Sequence, residues 1–242
     1  MDISVVIPVR NEADNVGPLC REIHAALAGR LEYEIIFVDD GSTDTTVDEI
    51  RRCMEGDRVR LLRHPRSFGQ SAGVHSGVTA ARARWIGTLD GDGQNDPADL
   101  PAMYERAIGE PSGSKLRMVI GNRVTRRDTW VRRLSSRVAN RIRGSMLHDG
   151  TPDSGCGIKV FDRDTFLRLP FFNHMHRFLS ALFLREGAQV VSVPVAHRPR
   201  TRGTSKYGIH NRLWAGVVDI LGVMWLRRRG FPDLEVVEEG PR

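Results

Sequence analysis

Cysteine is scarce. Cys20, Cys53 and Cys156 are odd in number and far apart, which gives neither a disulfide framework nor a metal-ligand spacing and suits a reducing compartment. No apolar run reaches the ~20 residues that a membrane helix needs. The chain opens directly on a strand, without a basic, apolar and cleavable leader, so a cytoplasmic location is expected. Gly-x-Gly-x-x-Gly is missing, which argues against a dinucleotide-binding dehydrogenase. The Gly-x-x-x-x-Gly-Lys-Ser/Thr of a P-loop is missing too. There is no internal repeat and no low-complexity linker. The net charge of +6 is unevenly spread: Arg123 to Arg143 holds eight arginines and one acid, Asp128. Trp130 is the single aromatic residue of that stretch, so single-strand nucleic-acid binding through interleaved aromatics is disfavoured. A phosphate-bearing partner or an anionic membrane surface suits the charge.

What is present is an alternation. Short β-branched runs at Ile3–Ile7, Glu34–Val38, Val59–Leu62, Trp85–Leu89 and Met118–Ile120 read as strands. Between them lie helical spacings: Val16, Leu19, Cys20, Ile23 and Leu27; Val47, Ile50 and Met54; Gly69 to Ala81; Pro97 to Ile108. Ser42 or Thr43 is placed to cap the second of these. The pattern predicts an α/β fold, a mostly parallel central sheet with helices on both faces. Ligands of such sheets bind beyond the carboxyl ends of the strands. Pro8-Val-Arg10, Asp39-Asp40, Asp90-Gly-Asp92 and Gly121-Asn-Arg123 all fall there.

Asp90 and Asp92 stand two apart after a buried strand. In extended chain they share a face and form half a cage for a hard divalent cation, Mg²⁺ or Mn²⁺. Gln94 offers a neutral third oxygen, and Gly91 and Gly93 let a diphosphate come close. The competing reading is a solvated turn in which Asn95 or Asp96 caps a helix begun by Pro97. Asp39 and Asp40 suit the N–H groups of a base and the hydroxyls of ribose, or else simply end a strand and cap a helix.

The second half is less regular. Trp130–Ser145 reads as a basic amphipathic helix, Asp153–Gly157 as a loop, Ile158–Phe161 as a strand, His176–Arg185 as a helix and Gln189–Val195 as a strand. His174 and His176 lack the companions of a metal site, and Cys156 reads as a small buried residue rather than a nucleophile. Arg198 to Gly208 is a basic, glycine-containing loop, either a phosphate clamp or a solvated surface. Leu213–Leu226 is apolar but carries Asp219 in its middle. Trp214 and Trp225 lie near its ends, and Arg227-Arg-Arg229 follows it. That makes residues 211–230 a candidate interfacial helix, after a catalytic domain spanning 1–210 and before a tail, 231–242, expected to fray.

Together these residues resemble glycosyltransferase family 2, in particular its polyprenyl-phosphate (dolichol-phosphate mannosyltransferase-like) branch. Val5–Glu12, Val38–Asp44 and Asp90–Gln94 carry the family likeness; Gly121-Asn-Arg123 and Arg200–Lys206 narrow it to the branch. The resemblance implies a GT-A fold, a GDP- or UDP-linked sugar donor, a divalent metal and inverting transfer to a polyprenyl phosphate. By the same resemblance Pro8, Arg10, Glu12, Val38, Asp39 and Asp40 line the nucleoside pocket. Asp90, Asp92 and Gln94 hold the metal, with Gly91 against the diphosphate, and Arg123, Arg200 and Lys206 hold phosphates. Many relatives have Tyr in place of Arg10, and many carry membrane helices after the catalytic domain. A lipid phosphate is already ionised near neutrality, its second pKa being about 6, and needs no general base. A sugar hydroxyl does need one; no acid after Asp92 stands out for it, and Asp153 stays open. Transfer to a sugar hydroxyl, a non-catalytic nucleotide- or surface-binding protein, and a homo-oligomer all stay open.

Overall fold

The computed structural model describes residues 1–123 apart from 55 and 112, residues 144, 146, 147 and 149–199, and 211–229. Nearly all of Trp130–Ser145, the loop from Arg200 to Gly208 and the tail lie outside the described residues, and Arg200, Arg202 and Lys206 with them.

Seven strands form one sheet: β1 (Ile3–Val9), β2 (Tyr33–Asp39), β3 (Val59–Arg63), β4 (Trp85–Thr88), β5 (Leu116–Arg123), β6 (Lys159–Asp162) and β7 (Gln189–Val195). Their order is β3-β2-β1-β4-β6-β5-β7. Every pairing is parallel except those of β6, which runs against both β4 and β5. β1 and β2 are buried nearly throughout, as continuous apolar runs covered on both faces must be. Alternation along β1 separates the two helical layers. Val6 and Pro8 lie against Gly77 and Gly73 of α3 (Gln70–Ala80), while Ile3 lies by Leu100, the start of α4 (Leu100–Ile108). α1 (Ala13–Leu27) and α2 (Thr46–Arg52) pack with α4's layer. On α3's side, α5 (Arg163–Leu167) and α6 (Leu179–Arg185) meet over an aromatic cluster, Phe161 with Phe166 and Phe183. α7 (Asn211–Arg227) packs on α6.

Several local expectations change. Ser42 and Thr43 do not cap α2. Their groups lace to Asn11 instead: Asn11 N donates to Ser42 Oγ at 2.9 Å and Thr43 N to Asn11 Oδ1 at 2.8 Å. Asp44 takes the Thr46 N–H at the head of α2, at 3.0 Å. Pro97–Asp99 is a 3-10 turn ahead of α4, and Asp96 accepts the Ala98 N–H at 3.0 Å. The expected His176–Arg185 helix is instead a 3-10 turn, Met175–Arg177, and then α6, parted at Phe178, whose φ of −120° and ψ of 11° are not helical. The short helix α5 had no sequence signal beyond Asp162, which accepts the Thr165 N–H at 2.8 Å.

Candidate active site

The carboxyl ends of β1, β2 and β4 lie side by side, and the two acids of Asp39-Asp40 part company there. Asp40 accepts from four donors: His64 Nδ1 (2.8 Å), Ser67 Oγ (2.6 Å), Phe68 N (2.8 Å) and Gly69 N (2.9 Å). Burial pushes its carboxyl up, but these hydrogen bonds outweigh burial and leave it below the ordinary range. Asp40 thereby ties the 64–69 segment to the end of β2. Asp39 accepts only long bonds from Ser42 N, at 3.2 and 3.4 Å, with Arg63 at 4.0 Å. Of the pair it keeps the acceptor capacity. Val38 has no exposed surface and lies against α3 at Gly77. Pro8 is partly exposed and Arg10 exposed. Glu12 accepts from Asn15 Nδ2 at 2.6 Å, and its own N–H donates to Thr46 Oγ1 at 2.8 Å.

Asp90 and Asp92 follow β4 in a tight turn, not in extended chain. Asp92 sits in the turn, where its Oδ1 accepts the Gln94 N–H at 3.1 Å, near enough for its charge to be felt at Asp90. Asp90 is held by Gln70, whose Nε2 donates to Oδ1 at 2.8 Å, and its N–H donates to Asn95 Oδ1 at 3.1 Å. Gly157 lies hard against it: a Cβ there would stand 2.1 Å from Asp90 Oδ2. Gly91 sits equally tightly over Val9, 2.6 Å from a notional Cβ to Cγ1. Burial and then the neighbouring charge of Asp92 raise the Asp90 carboxyl, against the pull of Lys159, Arg123 and Gln70. Two crowded carboxylates with oxygen-only chemistry fit a hard divalent cation, whose charge relieves their repulsion. Among the described residues no third acid, His or Cys joins them, so diphosphate and water oxygens would complete the shell. Gln94 directs its Nε2 toward Arg198 O, at 3.5 Å.

The antiparallel course of β6 carries its leading segment, Asp153–Gly157, to this end of the sheet. Thr88 Oγ1 donates to Gly157 O at 2.9 Å. Arg123, at the end of β5, grips Asp153 with both arms: Nε to Oδ2 at 2.6 Å and Nη2 to Oδ1 at 2.8 Å. Asp153 is buried and Arg123 largely so. Lys159 is buried below and donates to Cys156 O; burial lowers its pKa although Asp90 pulls it up. A cavity of about 20 Å³, room for one water, is bounded in part by Asp90, Gln70, Lys159 and His176. His176 bonds Ser71 Oγ through Nδ1 at 2.8 Å, and burial first, then the charge of Lys159, drops its pKa to about 3. His174 pairs with Asp219 of α7 at 3.1 Å. Both histidines are thus structural, as is Cys156, buried with its thiol pushed up by desolvation. Gln70, Gly157 and Lys159 were not legible as site residues. A larger surface hollow, about 640 Å³, lies at the other end of the sheet against Lys115 and Gln189, away from this chemistry.

The fold and this carboxylate-lined edge define a GT-A-like glycosyltransferase. The sequence model of "Glycosyl transferase family 2" matches residues 4–169, and the chain belongs to that family. Dodecaprenyl-phosphate galacturonate synthase of Rhizobium johnstonii is 36% identical over 238 residues, 94% of this chain and 68% of that protein. Undecaprenyl-phosphate 4-deoxy-4-formamido-L-arabinose transferase of Edwardsiella ictaluri is 31% identical over 211 residues, 86% of this chain and 63% of that protein. The chain thus spans 68% and 63% of the length of these two relatives. Glucosyl-3-phosphoglycerate synthase from Mycobacterium tuberculosis, solved with Mg²⁺ and UDP, shares the fold. Its TM-score is 0.67 at 16% identity, covering 93% of this chain and 78% of that one.

Proposed function

We propose that the protein moves a sugar from a nucleoside-diphosphate sugar to a polyprenyl phosphate, with inversion, at an anionic membrane surface. The observation that carries this reading is the bidentate Arg123–Asp153 pair. Asp153, an acid open to the role of base for a hydroxyl acceptor, has both oxygens bound to a guanidinium. An acceptor that arrives ionised has no need of it. The named activities of the relatives from Rhizobium johnstonii and Edwardsiella ictaluri agree with this acceptor class.

Asp39 holds the nucleoside from the end of β2, with Pro8, Arg10 and Glu12 around it. Asp90 and Asp92 would hold Mg²⁺ or Mn²⁺, which supplies charge neutralisation of the leaving diphosphate. Gln70 and Gly157 fix Asp90, so the carboxylates are organised before the donor arrives. An acceptor phosphate oxygen then forms a bond to the sugar's anomeric carbon as the bond to the diphosphate oxygen breaks on the opposite face. Arg200 and Lys206 are the cations assigned to the acceptor phosphate. Arg123, committed to Asp153, acts through the charge it brings near Asp90 rather than by direct contact.

The membrane reading rests on α7. Seventeen residues, about 26 Å as a helix, fall short of the ~30 Å hydrocarbon core, and no described helix is long and apolar enough to cross a membrane. Asp219 faces the domain and pairs with His174, so it does not interrupt the outer face. That face shows Val218 at 66%, Leu221 at 54% and Trp225 at 60% exposure. Arg229 lies over the Trp225 ring at 5.8 Å. An apolar stripe ending in arginines suits the headgroup boundary of an anionic bilayer.

The test is to incubate the protein with radiolabelled UDP- and GDP-sugars, Mn²⁺ and polyprenyl phosphate, and to extract the lipid. Label in the organic phase, abolished by EDTA, is expected; label only in water-soluble glycans would transfer the assignment to a hydroxyl acceptor.

A further inference from the structure

We infer that Arg198 is a positioning residue that pins the carboxylate loop to α1, and is not one of the phosphate-binding cations of its basic run. This rests on the reading of Asp90 and Asp92 as the donor-side carboxylates. By sequence Arg198 opens a run of arginines and a lysine, and its charge would be counted with theirs. The structure uses that charge elsewhere. Nη1 lies 2.7 Å from Glu22 Oε2 on α1, and Nη2 lies 2.6 Å from Asp96 Oδ2 on the loop. The other oxygen of Asp96 already accepts the Ala98 N–H at 3.0 Å.

The backbone repeats the connection. Beyond β7 the chain runs along the loop, with an antiparallel bridge between Asn95 and His197 and Arg198 N donating to Gln94 O at 3.0 Å. Ala196 N donates to Asp99 Oδ2 at 2.9 Å. The loop's inner end is tied by Asn95 to the N–H of Asp90. Residues 90–99 are thereby stitched to α1 and to the end of β7, and Arg198 is the side chain that reaches both. A turn carrying two like charges tends to spread. An external tie on residues 94–99, the segment that follows the two acids, limits that spread. Arg198 and Glu22 are about two-fifths exposed, and exposed pairs contribute little to global stability, so the consequence is local.

The experiment compares Arg198→Gln, Arg198→Lys and Glu22→Gln with the wild type. Hydrogen exchange is followed by mass spectrometry on metal-free protein, and binding of UDP or GDP with MnCl₂ by calorimetry. Arg198→Gln should speed exchange in peptides covering 90–99 and leave the sheet unchanged. It should also weaken Mn²⁺-nucleotide binding about 10-fold, as loss of a supporting partner around metal ligands does. Arg198→Lys, which can keep one arm, should fall between, and Glu22→Gln should follow Arg198→Gln at smaller amplitude. Unchanged exchange and Mn²⁺-nucleotide affinity with a raised KM for the phosphate acceptor would overturn the inference and make Arg198 a phosphate ligand. Faster exchange spread evenly over the protein would overturn it too. Wild-type protein that binds no Mn²⁺-nucleotide would contradict the transferase reading instead, while the exchange result would still decide whether Arg198 anchors the loop.

Discussion

Adjacent identical residues do opposite work here. Asp40 is saturated by four donors, whereas Asp39 retains acceptor capacity at the strand end. Asp40→Asn should lower stability by about 2 kcal/mol, since an amide cannot accept from all four donors. Asp39→Asn should leave the melting temperature nearly unchanged and weaken nucleotide binding about 10-fold, a loss of about 1.4 kcal/mol. Thermal melts and calorimetry with UDP and GDP separate the two; a reversed pattern would exchange their roles. The sequence showed an acidic pair but not which member is saturated by hydrogen bonds. The partners that decide it, His64, Ser67 and the N–H groups of Phe68 and Gly69, are more than twenty residues away.

At the scale of elements, the parallel half of the sheet was readable because its strands are continuous apolar runs separated by helical spacings. β6 was readable as a strand but not in direction. Nothing in Lys159-Val-Phe-Asp162 says that it runs against its neighbours, and that reversal delivers Gly157 and Asp153 to the site. The α3 start was equally hidden: Gln70 looks like any polar residue opening a helix, yet its amide holds Asp90. The same junction gives a pH dependence. His176, with its pKa at about 3 beside Ser71 and Lys159, stays neutral in the fold, while in the unfolded chain it titrates near 6.5. Its contribution is therefore complete above about pH 6.5 and is lost progressively as pH falls toward 3. Glu34, Asp40 and Asp162, raised by burial but lowered further by hydrogen bonds, lose theirs only below their ordinary carboxylate range. His176 pulls the thermal midpoint down between pH 7 and 5, so His176→Gln should make that part of the curve flatter than in the wild type. An unchanged slope in the variant would assign the decline to other groups.

For the whole molecule, the distribution of charge and apolar surface matters more than its total. The helix expected as an interfacial element is present, and its one acid is turned inward onto His174. Sequence alone could not show that, because the position of Asp219 gives no information about which face packs. Sedimentation with anionic liposomes should carry the protein down at low salt and release it at about 0.5 M salt, where surface charge is screened. Leu221→Ser with Trp225→Ala should weaken binding at low salt without changing nucleotide affinity. A protein that stays in the supernatant under all conditions would place its acceptor in solution.

In the function proposed above, the acceptor supplies its own charge to a site organised around Asp90 and Asp92. The direct measurement is the initial rate of sugar transfer to polyprenyl phosphate and to the matching polyprenol, at equal concentrations, with wild type and Asp92→Asn. Transfer to the phosphate is expected, with none detectable to the alcohol and a rate about 100-fold lower in Asp92→Asn, comparable to removing one preorganised electrostatic group. Equal transfer to the alcohol, or full activity of Asp92→Asn in EDTA, would contradict it.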